Sequence, residues 1–229
     1  MNSTTKETLM FNKEQFLIIA SMQNALQEKT VGPDWKEKRL DIGSAIYVEA
    51  AEAMNHYGWE WWKKQSPDLA QASIELVDIL HFAFTGLIQN TPAEFAFEML
   101  QNNIDTVPAE MVQELDQYTF TDHCKVIGML GSQGYYGQVI YHVTLAAKVL
   151  GFDSDYLFNR YLGKNVLNSF RKANGYKEGT YVKFWFGEED NVHLERILRD
   201  CNLSGTVPTE EHLYKSLEEI YSNATAPLN

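Results

Sequence analysis

Two pairs of carboxylates constrain this chain more than any other feature of its sequence. Glu49-Ala-Ala-Glu52 and Glu75-Leu-Val-Asp78 each set two acids three residues apart, and on a helix that spacing stacks them on one face. Glu49 to Glu75 and Glu52 to Asp78 are both 26 residues. Two successive antiparallel helices joined through Gly58-Trp59-Glu60-Trp61-Trp62 can therefore turn their pairs toward each other. The other residues from Ile46 to Met54 are apolar, and no Lys or Arg lies between Arg39 and Lys63. Four carboxylates gathered on or beside a buried face disfavour one another's ionisation, so protons or cations must neutralise them. The donors are hard oxygens, which points to Mg²⁺ or Mn²⁺ rather than zinc. A di-iron carboxylate bundle fails on count. Asp78-Ile79-Leu80-His81 supplies half of its ligand pattern, but Glu189–His193 has the wrong spacing and reads as a polar turn. His81 is better explained as a core or supporting histidine.

The remaining composition narrows the class. With 229 residues, 45% hydrophobic and 13% aromatic, the chain has material for a sizeable core in a single domain, 1–229. A net charge of −12 argues against a broad electrostatic grip on nucleic acid. The longest apolar stretch, Ile79–Ile88, is interrupted by His81 and is far short of the roughly 20 residues of a membrane span. Residues Met1 to Glu7 lack the basic and apolar regions of a secretory signal. The two cysteines, Cys124 and Cys201, make no disulfide framework or zinc pattern. A soluble, cytoplasmic protein is expected.

Helix-start signals recur. Phe11-Asn12 with Gln15 reads as staple and capping box, Ser66-Pro67 and Thr91-Pro92 as caps before a first-turn proline, and Gly151 and Gly175 as C-terminal stops. These predict helices over about 12–29, 38–57, 67–89, 92–103, 108–117, 137–150, 154–174 and 209–222, hence a mostly α protein. Helices in about 38–89 would carry the paired acids, a further helical segment would span about 92–150, and the basic helix with the loop after it about 154–191. Gly128, Gly131, Gly134 and Gly137 fall at every third residue, which predicts a loop or broken helix in preference to a helical face packed close to another backbone. Tyr176–Gly187 is aromatic and β-branched, with Gly179 in a turn position, and reads as a short hairpin or an ordered loop.

Charge is segregated. Gln65 to Cys124 holds ten acids and no Lys or Arg, whereas Arg160 to Lys183 holds six bases against Glu178 alone. Within that basic strip Lys164, Asn168 and Arg171 follow i, i+4, i+7, two turns of one helix face. Such a ladder of cationic and amide donors suits the oxygens of a polyphosphate and a sugar hydroxyl. Tyr176, Lys183 and the Glu189-Asp190-Asn191 turn follow where a ligand could be closed over.

Taken together, Glu-x-x-Glu, then Glu-x-x-Asp-Ile-Leu-His-Phe, then Lys164-x-x-x-Asn168-x-x-Arg171-x-x-x-Gly-Tyr176-x-x-Gly-x-Tyr-x-Lys183, then Glu-Asp-Asn191, resembles the dimeric all-α dUTPase family from Gln23 to Asn191. The carboxylate pairs alone are shared with MazG-like and dCTPase-like nucleotide pyrophosphatases; the Lys164–Lys183 segment is more particular. The resemblance implies an all-helical homodimer that hydrolyses dUTP, and often dUDP, to dUMP with two or three Mg²⁺ ions, by attack at the β-phosphorus. Glu49, Glu52, Glu75 and Asp78 match the family's metal ligands, with Glu49 our choice to activate water. Lys164, Asn168, Arg171, Tyr176 and Lys183 match its phosphate and sugar contacts, and Asn191 follows them. Trp59 and Trp62 match aromatic positions near the ligand, and His81 and Phe82 border the nucleoside pocket.

One departure bears on base recognition. The family's first helix typically reads Gln-x-x-x-Asn, whereas this chain has Gln23-Asn24-Ala25-Leu26-Gln27. Gln27 keeps the amide donor and acceptor with one more methylene. Two other functions fit parts of the same sequence: a pyrophosphatase of different base specificity, and a non-catalytic helical interaction protein whose acids are surface decoration.

Overall fold

In the computed structural model, which describes residues 11–226, helix follows helix from the first cap onward. Helix α1 (Lys13–Thr30) starts at Asn12, whose side chain accepts from the Gln15 backbone N–H while the Gln15 side chain reaches back, the expected capping box. Helix α2 (Ile42–Tyr57) is capped by Asp41 and stopped by Gly58 in the left-handed conformation, φ 89°. Helix α3 (Leu69–Asn90) is capped by Asp68 rather than Ser66. Pro92, not Thr91, holds the cap position of α4 (Ala93–Asp105). Then come α5 (Ala109–Leu115), α6 (Phe120–Ser132), α7 (Tyr136–Val149), α8 (Ser154–Ala173), a hairpin of β1 (Phe184–Trp185) and β2 (Glu188–Glu189), α9 (Asp190–Ser204) and α10 (Glu210–Thr225). Gly151 and Gly175 take positive φ after α7 and α8 as expected.

The packing divides the chain into two compact units between Leu157 and Phe158, inside α8. In the first unit α3 is the central helix, packed against α1, α2, α4 and α7, while α2 also packs on α6. Leu76, Ile79, Leu80, Ala83 and Phe84 of α3 are fully buried. By length and composition α3 is apolar enough to cross a membrane, yet 78% of its most apolar window is buried inside the protein. That is the environment of a core helix.

The glycine run corrects the expectation of a loop or broken helix. Gly128 and Gly131 lie within α6 and Gly137 within α7; Gly134 occupies the turn between them, φ 79°. A Cβ at Gly131 would meet Ile46 Cγ2 at 2.5 Å, and one at Gly43 would meet the Gly131 carbonyl oxygen at 3.0 Å. Close backbone approach of α2 and α6 thus outweighs the poor helix propensity of glycine, and it fixes the helix that carries the first carboxylate pair.

In the second unit, the rest of α8, the hairpin, α9 and α10 close over Val166, Leu167, Phe170, Trp185, Leu194, Leu198, Leu213 and Leu217. Phe170 meets the rings of Trp185, Tyr214 and Tyr221 edge-on at 6.0, 5.3 and 5.4 Å. The expected hairpin is shorter and further along than 176–187. Phe184 pairs with Glu189 and Trp185 with Glu188, so Phe186 and Gly187 form the reversal, while Gly179 makes a separate turn by donating to the Tyr176 carbonyl at 3.2 Å. Nor is Glu189–His193 a polar turn. Glu189 ends β2 and occupies the N-cap position of α9, whose buried residues Leu194, Ile197, Leu198 and Cys201 share one face.

Candidate active site

The loop between α2 and α3 turns back on itself, and the Asp68 N–H donates to the His56 carbonyl at 2.8 Å. On the two helices that it joins, three of the four predicted ligands converge. Glu49 and Glu52 from α2 and Glu75 from α3 each place a carboxylate oxygen within 4.8 Å of the others. Glu75 is buried, Glu49 half-buried and Glu52 exposed. Asp78, half-buried one turn further along α3, is not part of that group. Opposite ligands of one ion at about 2.1 Å stand about 4.2 Å apart. A donor set this tight therefore fits a hard cation after a small contraction, or a pair of cations without one.

Only Lys and Arg enter the sequence argument as partners of these acids, and that misses His56. Its Nε2 lies 3.5 Å from Glu75 Oε1. The signal was present: Glu49, Glu52 and His56 follow i, i+3, i+7 on one helix face.

The connecting loop is built around its own polar contacts. Trp59 Nε1 donates to Asn55 Oδ1 at 2.7 Å, the Glu60 N–H donates to Gln65 Oε1 at 2.8 Å, and Gln65 Nε2 returns a bond to the Glu60 carboxylate at 2.8 Å. Trp59 and Trp62 meet edge-to-face at 5.2 Å, yet remain 42% and 55% exposed. Aromatic surface left open in the loop that joins the two carboxylate-bearing helices can stack on a planar ligand.

The predicted base-reading residues meet at a threonine that the sequence did not single out. Gln23 is buried; its Nε2 donates to Thr85 Oγ1 at 2.7 Å and its Oε1 accepts from His81 Nδ1 at 2.8 Å. Gln27 Nε2 reaches the same Thr85 oxygen at 3.1 Å, and Thr85 Oγ1 donates to the His81 carbonyl at 2.8 Å. Gln23 is thus a brace, whereas Gln27, half-buried, stands nearer the surface. Phe82, next to His81 on α3, is also half-buried.

In the second unit the basic ladder is engaged with Asp190 and Asn191 downstream. Arg171 Nε and Nη2 make bonds of 2.8 and 2.7 Å to the Asp190 carboxylate, and Nη1 reaches Asn168 Oδ1 at 3.3 Å. Burial by itself would raise the Asp190 carboxyl, but the Arg171 guanidinium and the Tyr181 hydroxyl at 2.8 Å hold it below its ordinary value. Tyr181 is pushed upward, first by burial and then by its bond to Asp190. Lys164 is buried and donates to Asn191 Oδ1 at 3.2 Å, and Arg171 Nη2 approaches the same oxygen at 3.4 Å. Two cationic donors on one carbonyl oxygen mark a place suited to an anionic oxygen. Tyr176 lies under Arg171 at 5.8 Å, and Lys183 pairs with Glu189 at 3.0 Å. Sequence reasoning placed Asp190 only in a turn; its pairing with Arg171 depends on the chain reversal at the hairpin.

Residues 15–176 match the protein-family model described as dUTPase, a span that takes in both carboxylate pairs and the whole of α8. No curated protein matches the chain.

Proposed function

We propose, because this chain belongs to the dUTPase family, that it is a Mg²⁺-dependent enzyme converting dUTP, and dUDP as well, to dUMP, which keeps uracil out of DNA and supplies dUMP for thymidylate synthesis. The observation that carries the reading is the approach of Glu49, Glu52 and Glu75 to within 4.8 Å across two successive helices. These three, with Asp78, would hold two or three divalent cations, for which Mn²⁺ could substitute. Bound there, the cations supply positive charge for the polyphosphate and a more acidic water.

The side chains do the rest. Glu49, half-buried between the exposed Glu52 and the buried Glu75, takes the proton of the attacking water. Lys164, Arg171 and Lys183 offset the charge that develops on the polyphosphate as water attacks the β-phosphorus and dUMP departs. Lys164 exchanges the neutral Asn191 carbonyl for a phosphate oxygen, and Lys183 leaves Glu189 to do the same. Arg171 keeps one edge on Asp190, which orients the guanidinium. Asn168 and Tyr176 contact sugar and phosphate. Gln27 reads the uracil edge while Gln23, His81 and Thr85 hold it in place, and Trp59, Trp62 and Phe82 border the nucleoside. The enzyme works as a cytoplasmic homodimer.

A panel of deoxynucleoside triphosphates with Mg²⁺ and detection of the released pyrophosphate tests the reading. Turnover of dUTP well above the other nucleotides is expected. Equal or greater turnover of dCTP or another nucleotide moves the chain to a different base specificity, and absence of turnover overturns the reading. Attack at the β-phosphorus puts ¹⁸O from solvent water into pyrophosphate; label in dUMP contradicts it.

A further inference from the structure

We propose that His56 is a nitrogen ligand of the metal centre, so that one cation position favours Mn²⁺ or Co²⁺ over Mg²⁺. The inference rests on the reading of Glu49, Glu52 and Glu75 as metal-holding residues. At 100° per residue, Glu49, Glu52 and His56 point within about 60° of one another on α2, and the imidazole, which lies outside the 4.8 Å carboxylate group, borders that group through Glu75. Across from them stands Glu75, with its Oε1 3.5 Å from His56 Nε2.

That distance is informative. A charge-assisted N–H···O bond settles at about 2.7–2.9 Å, well inside what is found. Two donors on one ion, each about 2.1 Å from it, stand about 3.0 Å apart across a right angle and about 3.4 Å across a tetrahedral one. The observed spacing needs only a small adjustment to match shared coordination. The His56 backbone is fixed by the bond from Asp68, and its side chain, 37% exposed, keeps the freedom to make that adjustment.

The chemistry sets the ion. Mg²⁺ takes oxygen donors almost exclusively, whereas a nitrogen donor adds to the binding of first-row ions, least for Mn²⁺ and more for Co²⁺ along the series. An all-carboxylate site would not separate these ions by a nitrogen bond; one with His56 does.

Mn²⁺ itself is the probe, added to the full chain. Electron spin-echo modulation should show coupling to an imidazole ¹⁴N, which changes to the ¹⁵N pattern in protein grown with ¹⁵N-histidine and vanishes in His56→Gln. In calorimetric titrations His56→Gln should weaken Mn²⁺ by about tenfold while leaving Mg²⁺ within about twofold. Bound Mn²⁺ without nitrogen coupling in the native chain overturns the proposal, as does equal weakening of both ions. Mn²⁺ uptake that is unchanged in Glu75→Gln defeats the carboxylate reading instead, and no Mn²⁺ uptake by the native chain defeats both. The spin-echo measurement needs no variant, so a folding defect in His56→Gln does not shield the proposal.

Discussion

Acid should loosen the first unit through a histidine pair far from the carboxylates in sequence. His123 on α6 and His142 on α7 face each other Nδ1 to Nδ1 at 3.2 Å, and both are buried. The Tyr118 ring lies 5.5 Å from His123 and the Tyr141 ring 5.9 Å from His142. One nitrogen donates and the other accepts, so the pair tolerates one proton between them and not two. Burial pushes His142 from 6.5 down to about 4, and the neighbouring His123 adds to the effect. A base whose pKa is lower in the folded state stabilises the fold above its unfolded value, and that contribution is withdrawn as pH falls through the window from 6.5 to about 4. The gap, 6.5 less 4, corresponds to about 3 kcal/mol at 1.36 kcal/mol per pH unit. Between pH 7.5 and 5 about 2 kcal/mol of it is lost, which for a chain of this size lowers Tm by about 4–8 °C. Urea denaturation of the native chain and of His142→Asn, each at pH 7.5, 6.5, 5.5 and 5, measures it. The variant starts less stable, and the difference between the two should shrink by about 2 kcal/mol on acidification. Parallel stability curves would refute the argument.

Removing the carboxylate under Arg171 should cost more than an ordinary surface change. Asp190→Asn leaves a largely buried guanidinium without its ion-pair partner, so unfolding free energy should fall by about 3 kcal/mol or more, with kcat/KM for dUTP falling as well because Arg171 loses its orientation; native-like stability in urea would contradict the pairing. Gly131→Ala sets a methyl group 2.5 Å from Ile46 Cγ2 and should cost about 1–3 kcal/mol by overpacking. Ile46→Ala in the same chain should return part of that loss, and simple additivity of the two changes would show that the contact is not the cause.

What could be read ahead was local. Asn12 and Gln15 cap α1 from three residues apart, and Glu49 and Glu52 share a face because of helical geometry alone. Their approach to Glu75 followed from equal spacing and apolar neighbours, whereas the exclusion of Asp78 from the tight group depends on how the helices pack. Helix α6 was lost to its glycines, since only contact with Ile46 and with Tyr47, 3.1 Å from a Cβ built at Gly128, makes them favourable there. Helix α9 was lost to its polar first turn, although Leu194, Ile197, Leu198 and Cys201 carried the i, i+3, i+4, i+7 pattern throughout. The Arg171–Asp190 pair and the convergence on Thr85 join residues 19 and about 60 positions apart, and no periodicity announces either.

The central claim is that Glu49, Glu52 and Glu75 form a divalent-cation site serving a nucleotide. Calorimetric titration of Mg²⁺ into the chain saturated with a non-hydrolysable imido analogue of dUTP addresses it most directly, with Glu75→Gln as the comparison. The account predicts saturable uptake by the native chain and its loss in the variant with helical circular dichroism unchanged; equal uptake by both, or none by the native chain, would contradict it.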